Sequence, residues 1–96
     1  MSQIFFRFLD VEFKTKGDGL WVVAEGEICN ESKTDFQTAA FRLNVFDSLS
    51  IRWTGILKIQ GFRRGQTRPF ELLLDGMPRD SLSGISRYEI AFESGF

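Results

Sequence analysis

Hydrophobic and polar residues alternate along most of this chain. Val11 and Phe13 flank Glu12, and the same spacing of two recurs in five later segments. These segments are Leu20–Ile28, Ala39–Val45, Ile51–Ile59, Phe70–Leu74 and Tyr88–Phe92. A spacing of two is typical of a strand with one buried side and one solvent-facing side, and no window shows a helical spacing of comparable quality. The pattern therefore predicts an all-β protein.

The first strand changes phase partway along its length. Ile4, Phe6 and Phe8 have even numbers, whereas Leu9, Val11 and Phe13 have odd numbers. A β-bulge, or a strand that passes from one sheet to another, would produce this change. The sequence therefore predicts six strands, or seven if the first is divided.

Turn-forming residues separate the predicted strands. Asp18-Gly19 is a strong hairpin signal, because both residues tolerate positive φ. Asn30 and Asp47 are expected to end strands through bonds from their side chains to the backbone. Pro69 has no N–H, so it should lie at a strand start or on a sheet edge.

Antiparallel strands with one wet face and short turns predict a β-sandwich. A closed five-stranded barrel of the OB type is the alternative, but six strands with two extended tails favour the sandwich. The 96 residues fit a single domain over positions 1–96. The residues expected in its core are Leu43, Val45, Trp53, Leu57, Phe70, Leu72, Tyr88 and Ile90.

Residues 43–47, Leu-Asn-Val-Phe-Asp, resemble the signature of the FxLYD domain family. Residues 26–30 and residues 65–70 resemble two further elements of that family, and the likeness covers about Leu20 to Leu74. Leu43, Val45 and Phe46 stand where the family name has phenylalanine, leucine and tyrosine, and each keeps the character of its face.

The resemblance implies an antiparallel immunoglobulin-like β-sandwich of six or seven strands, found in prokaryotes. It brings no established activity and no catalytic residues. It also implies a place outside the cytoplasmic membrane if the chain belongs to a longer protein. Residues 1–10 show no export signal of their own, so the compartment stays open.

The composition argues against an enzyme. Without histidine the chain lacks the usual general base and the usual neutral metal ligand. Cys29 is the one cysteine and is expected to be a small buried hydrophobe. The lysines are expected to face outward, and the carboxylate pairs Glu25/Glu27 and Asp10/Glu12 to lie on solvated faces. We therefore expect no catalytic residue, no cofactor and no metal site, and no apolar run long enough for a membrane span.

The densest basic group surrounds one predicted loop and comprises Lys58, Arg63, Arg64 and Arg68. Arginine side chains match phosphate geometry, so this group could bind a polyanion or a nucleic acid. The net charge of −1 argues against nucleic acid, and charged side chains that guard a sheet edge explain the same residues.

Several apolar residues fall on the outward side of their strands. They are Trp21, Val23, Phe46, Ile56 and Leu73. Large aromatic side chains dominate many protein contacts, so Trp21 and Phe46 are the candidate partner-binding residues. The sequence thus predicts a non-catalytic structural or protein-interaction module, such as one domain of a surface or envelope protein, that binds an unknown protein partner or a second copy of itself. Polyanion binding by the basic loop is the alternative.

Overall fold

A computed structural model describes residues 6–48, 50–77, 82 and 84–96. These residues form six antiparallel strands and no α-helix, and none forms a helix fit to cross a membrane. The strands are β1 (Phe6–Lys16), β2 (Trp21–Asn30), β3 (Phe36–Phe46), β4 (Ile51–Phe62), β5 (Thr67–Leu73) and β6 (Arg87–Gly95). They make two three-stranded sheets, in the orders β1-β2-β5 and β4-β3-β6. The all-β sandwich is confirmed, and the closed barrel is wrong.

The two sheets enclose a core that is rich in phenylalanine. Phe41 is fully buried on β3 and meets the ring of Phe6 from the other sheet at 4.8 Å between centroids. Phe6 also stacks on Phe92, with centroids 5.0 Å apart. Edge-to-face and offset ring pairs of this kind stabilise a core beyond the area they bury. The phenylalanine rings, which are frequent in this sequence, thus hold the two sheets together.

A β-bulge interrupts β1, as the phase change predicted. Leu9 pairs with Glu27 and Glu12 pairs with Glu25, so Asp10 and Val11 together face Gly26. Asp10 adopts a φ of 52°, a left-handed conformation that aspartate tolerates better than most residues. The strand continues through the bulge, so the division into seven strands did not occur among the described residues. Ile4 lies outside them.

The β1–β2 hairpin follows the Asp-Gly signal. Asp18 and Gly19 have φ values of 56° and 84°, and the Leu20 N–H donates to the Gly17 carbonyl at 3.1 Å. Positive φ at both central residues is the geometry of a type I′ turn. Leu20 belongs to this turn and is 75% exposed. Its expected place on the inner face of β2 was therefore wrong.

The predicted core is confirmed in part. Leu43, Val45, Leu57 and Phe70 are buried. Three other predicted core residues pack against the core while half-buried, namely Trp53, Leu72 and Ile90. Tyr88 was wrongly placed, since it is 40% exposed. It lies near the start of β6, an edge strand, with the Phe13 ring 5.4 Å from its own.

The predicted strand ends are also confirmed. The Asp47 carboxylate accepts a hydrogen bond from the Ser50 N–H at 2.8 Å, and the Asn30 side chain accepts one from the Ser32 N–H at 3.0 Å. Pro69 lies on β5, an edge strand. Local side-chain bonds and edge placement therefore follow from residue type.

Candidate interaction surface

Trp21 and Phe46 lie on opposite outer faces of the sandwich. Trp21 opens β2, the central strand of one sheet, and Phe46 ends β3, the central strand of the other. Each has outward parity, because Val22 and Val45 beside them are fully buried. The two candidate anchors therefore do not share one surface.

The Phe46 ring is engaged by its own chain. The Arg87 guanidinium carbon lies 3.8 Å from the ring centroid, where a cation is attracted to the aromatic face. Phe46 is half-buried, as is Ile56 on the neighbouring strand. This contact leaves Phe46 less suited to anchor a partner than Trp21.

Trp21 belongs to an exposed apolar patch formed by Leu20, Trp21 and Leu73. Trp21 and Leu73 are each 47% exposed, and the patch borders an open groove of about 310 Å³ that continues along residues 74–77. The Trp21 ring packs over Gly17, where an added Cβ would lie 2.7 Å from it. The hairpin turn therefore holds the indole in place without covering it.

Strand pairing assembles the patch from distant parts of the sequence. Val23 pairs with Lys14 on one side and Leu73 on the other, which places Leu73 beside the start of β2. Val23 has outward parity but is only 2% exposed, so outward parity does not by itself make a residue available to a partner. Two long side chains, Lys14 and Leu73, flank Val23 on the neighbouring strands, and they account for its burial. Leu20 was missed because its parity matched the inner face, although the preceding Asp-Gly signal marked it as a turn residue.

Beyond the apolar patch, the outer face of the β1-β2-β5 sheet carries lysine and glutamate side chains that form ion pairs. Lys14 Nζ lies 2.6 Å from one Glu25 oxygen, and Lys16 Nζ lies 2.9 Å from the other and 2.6 Å from Glu71. Hydrogen bonds from Lys14 and then Lys16 lower the pKa of Glu25 to about 2. Bonds to Glu71 and then Glu25 raise the pKa of Lys16 to about 12, and Glu25 raises the pKa of Lys14. All four side chains are partly exposed, so solvent screens these pairs.

We expect Glu25→Gln to remove a small, pH-dependent part of the stability. Because the pKa of Glu25 is lowered on folding, its contribution is present above its ordinary pKa of 4.5 and is lost as the pH falls through about 2. Thermal unfolding of the wild type and the variant at several pH values measures the difference in Tm. That difference should shrink on acidification, and a constant difference would contradict the ion pairs. In a Lys14→Gln/Lys16→Gln background, Glu25→Gln should produce no such pH-dependent change.

The basic group is partly used by the fold. The Arg68 guanidinium donates to the carbonyls of Gln60 and Gly61 at 2.9 and 3.2 Å. Arg64 lies 3.8 Å from the Asp35 carboxylate, which also accepts its backbone N–H at 2.9 Å. Lys58 faces outward on β4, paired with Ala40. Arg63 is exposed in the turn that follows. Two of the four candidate polyanion-binding side chains therefore make structural contacts.

Cys29 lies near the end of β2, but it is half-buried rather than buried. It has outward parity and pairs with Arg7 and Thr67 on the neighbouring strands, which leaves one side open to solvent. Among the described residues, no group of three or more acidic or cysteine side chains is placed to hold a metal ion.

The apolar patch is thus the candidate interaction surface among the described residues. It combines exposed apolar area, a fixed indole and a neighbouring polar network. Comparisons of the chain with protein-family models, with curated proteins and with solved structures found no match.

Proposed function

We propose that this chain is a non-catalytic protein-interaction module that binds a protein partner through the apolar patch. The observation that carries the proposal is the exposure of three large apolar side chains together, beside the open groove. Exposed apolar patches bordered by polar residues are characteristic of protein-binding surfaces. The partner would insert an apolar side chain beside Trp21.

The shape of the patch supports this role. Tryptophan is enriched among the residues that dominate protein contacts, and it loses little conformational freedom when its ring is already fixed. The Trp21 ring is fixed against the hairpin turn. The charges of Lys16, Glu25 and Glu71 largely satisfy one another, so a partner need not neutralise them.

The finer fold assignment belongs to the same proposal. An immunoglobulin-like arrangement places the second strand between the first and a later strand, and it places the third strand in the opposite sheet. The orders β1-β2-β5 and β4-β3-β6 support that assignment. In residues 43–47, Leu43 and Val45 are buried and Asp47 ends the strand, so the proposed FxLYD signature serves the fold.

Trp21→Ser is expected to weaken partner binding by roughly tenfold or more, because the change removes the central apolar anchor. Phe46→Ser is the matched control, since it removes an aromatic side chain from the opposite face. Quantitative affinity purification from cells with the wild type and both variants should reveal a protein that only Trp21→Ser fails to retain. Titration with that purified protein then gives the fold-change.

Two results would overturn the proposal. In one, Trp21→Ser lowers Tm by many degrees, which would make Trp21 a structural residue. In the other, both variants retain the same proteins as the wild type. A salt titration with heparin tests the alternative, because contacts with a polyanion give affinity that falls steeply with salt. We expect weak binding to heparin, since Arg64 and Arg68 already have partners.

A further inference from the structure

The four sheet edges differ in how they resist pairing with another strand. The bulge at Asp10 interrupts β1, and the Arg68 side chain occupies the β4 carbonyls of Gln60 and Gly61. At the two ends of β5, the Gln66 carbonyl and the Leu74 N–H bond to β2, so even-numbered residues face β2 with their backbone groups. The backbone nitrogen of the odd-numbered Pro69, which carries no hydrogen, therefore faces the free edge. Bulges, prolines and capped carbonyls all hinder edge-to-edge pairing.

The edge of β6 has none of these features between residues 87 and 92, and its register against β3 shifts only beyond that stretch, at Glu93. On β3, Thr38 exchanges both backbone bonds with Phe96, and the Phe46 carbonyl accepts from the Ser86 N–H. Even-numbered residues of β3 therefore direct their backbone groups toward β6, where Arg87, Glu89 and Ala91 are their partners. The backbone groups of three alternate residues of β6 point away from β3, to the free edge, where no described strand lies. They are Tyr88, Ile90 and Phe92.

The sequence of β6 is complementary to itself in one antiparallel register. With Ile90 opposite Ile90 of a second copy, Tyr88 faces Phe92, and Arg87 faces Glu93. In an antiparallel pair, residues opposite each other lie on the same face of the sheet, so the two neighbouring registers differ from this one by two residues. One of these opposes Glu89 to Glu93, and the other opposes Glu89 to itself, which brings like charges together. Of these three registers, the one centred on Ile90 alone pairs opposite charges on one face and apolar residues on the other.

We propose that two copies of this chain pair through β6, antiparallel, with Ile90 on the two-fold axis. The pairing joins two three-stranded sheets into one sheet of six strands. Such an interface is isologous, so it closes as a dimer and does not propagate. It also places the half-exposed Tyr88 against an apolar neighbour. The interface lies on the sheet opposite the apolar patch, so it does not depend on the function proposed above.

Charge exchange between two variants tests this register directly. Arg87→Glu would place a new glutamate opposite Glu93 twice in a homodimer, and Glu93→Arg would place two arginines opposite each other twice. Each variant alone should dimerise roughly 10- to 30-fold more weakly than the wild type, judged from the size of cross-strand charge effects. An equimolar mixture should form a heterodimer with an affinity much closer to that of the wild type, because like charges face each other only when the same variant supplies both strands.

 In the heterodimer, both cross-strand pairs instead join a glutamate to an arginine. Sedimentation velocity over a range of concentrations measures each species.

The mixture separates pairing from damage to the fold. Glu93 also bonds to Arg42 at 2.8 Å, but losing that bond within one chain cannot be repaired by adding another variant. Lys58→Glu is the control for charge, since it makes the same change on β4 and should dimerise like the wild type. A wild type that stays monomeric at the highest concentrations, or a mixture that stays as dissociated as its components, would overturn the proposal. Trp21→Ser should leave the dimer intact.

Discussion

Phe70→Ala should lower the free energy of unfolding by about 3–5 kcal/mol. Phe70 is 7% exposed, pairs with Gly26 on β2, and sends its ring to within 3.0 Å of where a Cβ at Gly26 would lie. The ring thus fills space that glycine leaves open beside the bulge of β1. Alanine would leave a cavity there, because the backbone of two neighbouring strands limits how far the site can collapse. Urea denaturation of the wild type and the variant measures the loss.

Leu73→Ala on the same strand is the matched control. Leu73 is 47% exposed, so its truncation should cost about 1 kcal/mol or less. A loss below about 1 kcal/mol for Phe70→Ala as well would show that Phe70 does not fill the core beside Gly26. A change in the slope of the unfolding free energy against urea would instead indicate that the native or the unfolded state has changed in compactness.

The features that could be predicted from the sequence are those set by neighbouring residues. Alternation gave the six described strands, the phase change gave the bulge at Asp10, and Asp18-Gly19 gave the hairpin turn. Each depends on contacts within a few positions, where side-chain parity and backbone preference act directly. The buried positions of Leu43, Val45 and Phe70 follow from the same parity.

Strand neighbours could not be predicted in this way, because alternation does not specify which strands pair. Trp21 and Phe46 have equivalent patterns, yet their strands belong to different sheets. Parity also cannot tell a central strand from an edge. Val23 is therefore buried on the outer face of β2, while Tyr88 is exposed on the inner side of β6. In the apolar patch, Leu73 lies beside Leu20 and Trp21 only because of long-range strand pairing.

The two proposed surfaces are compatible in one assembly. The apolar patch lies on the outer face of the β1-β2-β5 sheet, and the dimer edge belongs to the β4-β3-β6 sheet. A dimer through β6 would carry two copies of the patch, one from each chain. A partner that presents two binding segments could then engage both patches, and its apparent affinity would exceed that of a single contact.

Asn30→Ala should destabilise the protein by about 2–4 kcal/mol, because its amide connects three segments from a fully buried position. The amide nitrogen donates to the carbonyls of Thr34 at 3.0 Å and Phe62 at 3.4 Å. The amide oxygen accepts from the Ser32 N–H at 3.0 Å and from its hydroxyl at 2.5 Å. Alanine leaves these groups without their partner, and buried polar groups without a partner are costly. Denaturant unfolding measures the effect.

Two further variants make the prediction specific to this amide. Asn44→Ala should cost far less, since the hydrogen bond that Asn44 accepts from the Thr54 hydroxyl at 2.6 Å lies on the solvated outer face. Asn30→Asp keeps the shape but places a carboxylate against the Thr34 and Phe62 carbonyls, so it should destabilise strongly at neutral pH. Burial beside two acceptors would raise the pKa of the new carboxyl above its ordinary value, so stability should recover as the pH falls and the protonated acid donates again. An Asn30→Asp variant whose deficit relative to the wild type is the same at neutral and acidic pH would contradict the donor role of the amide.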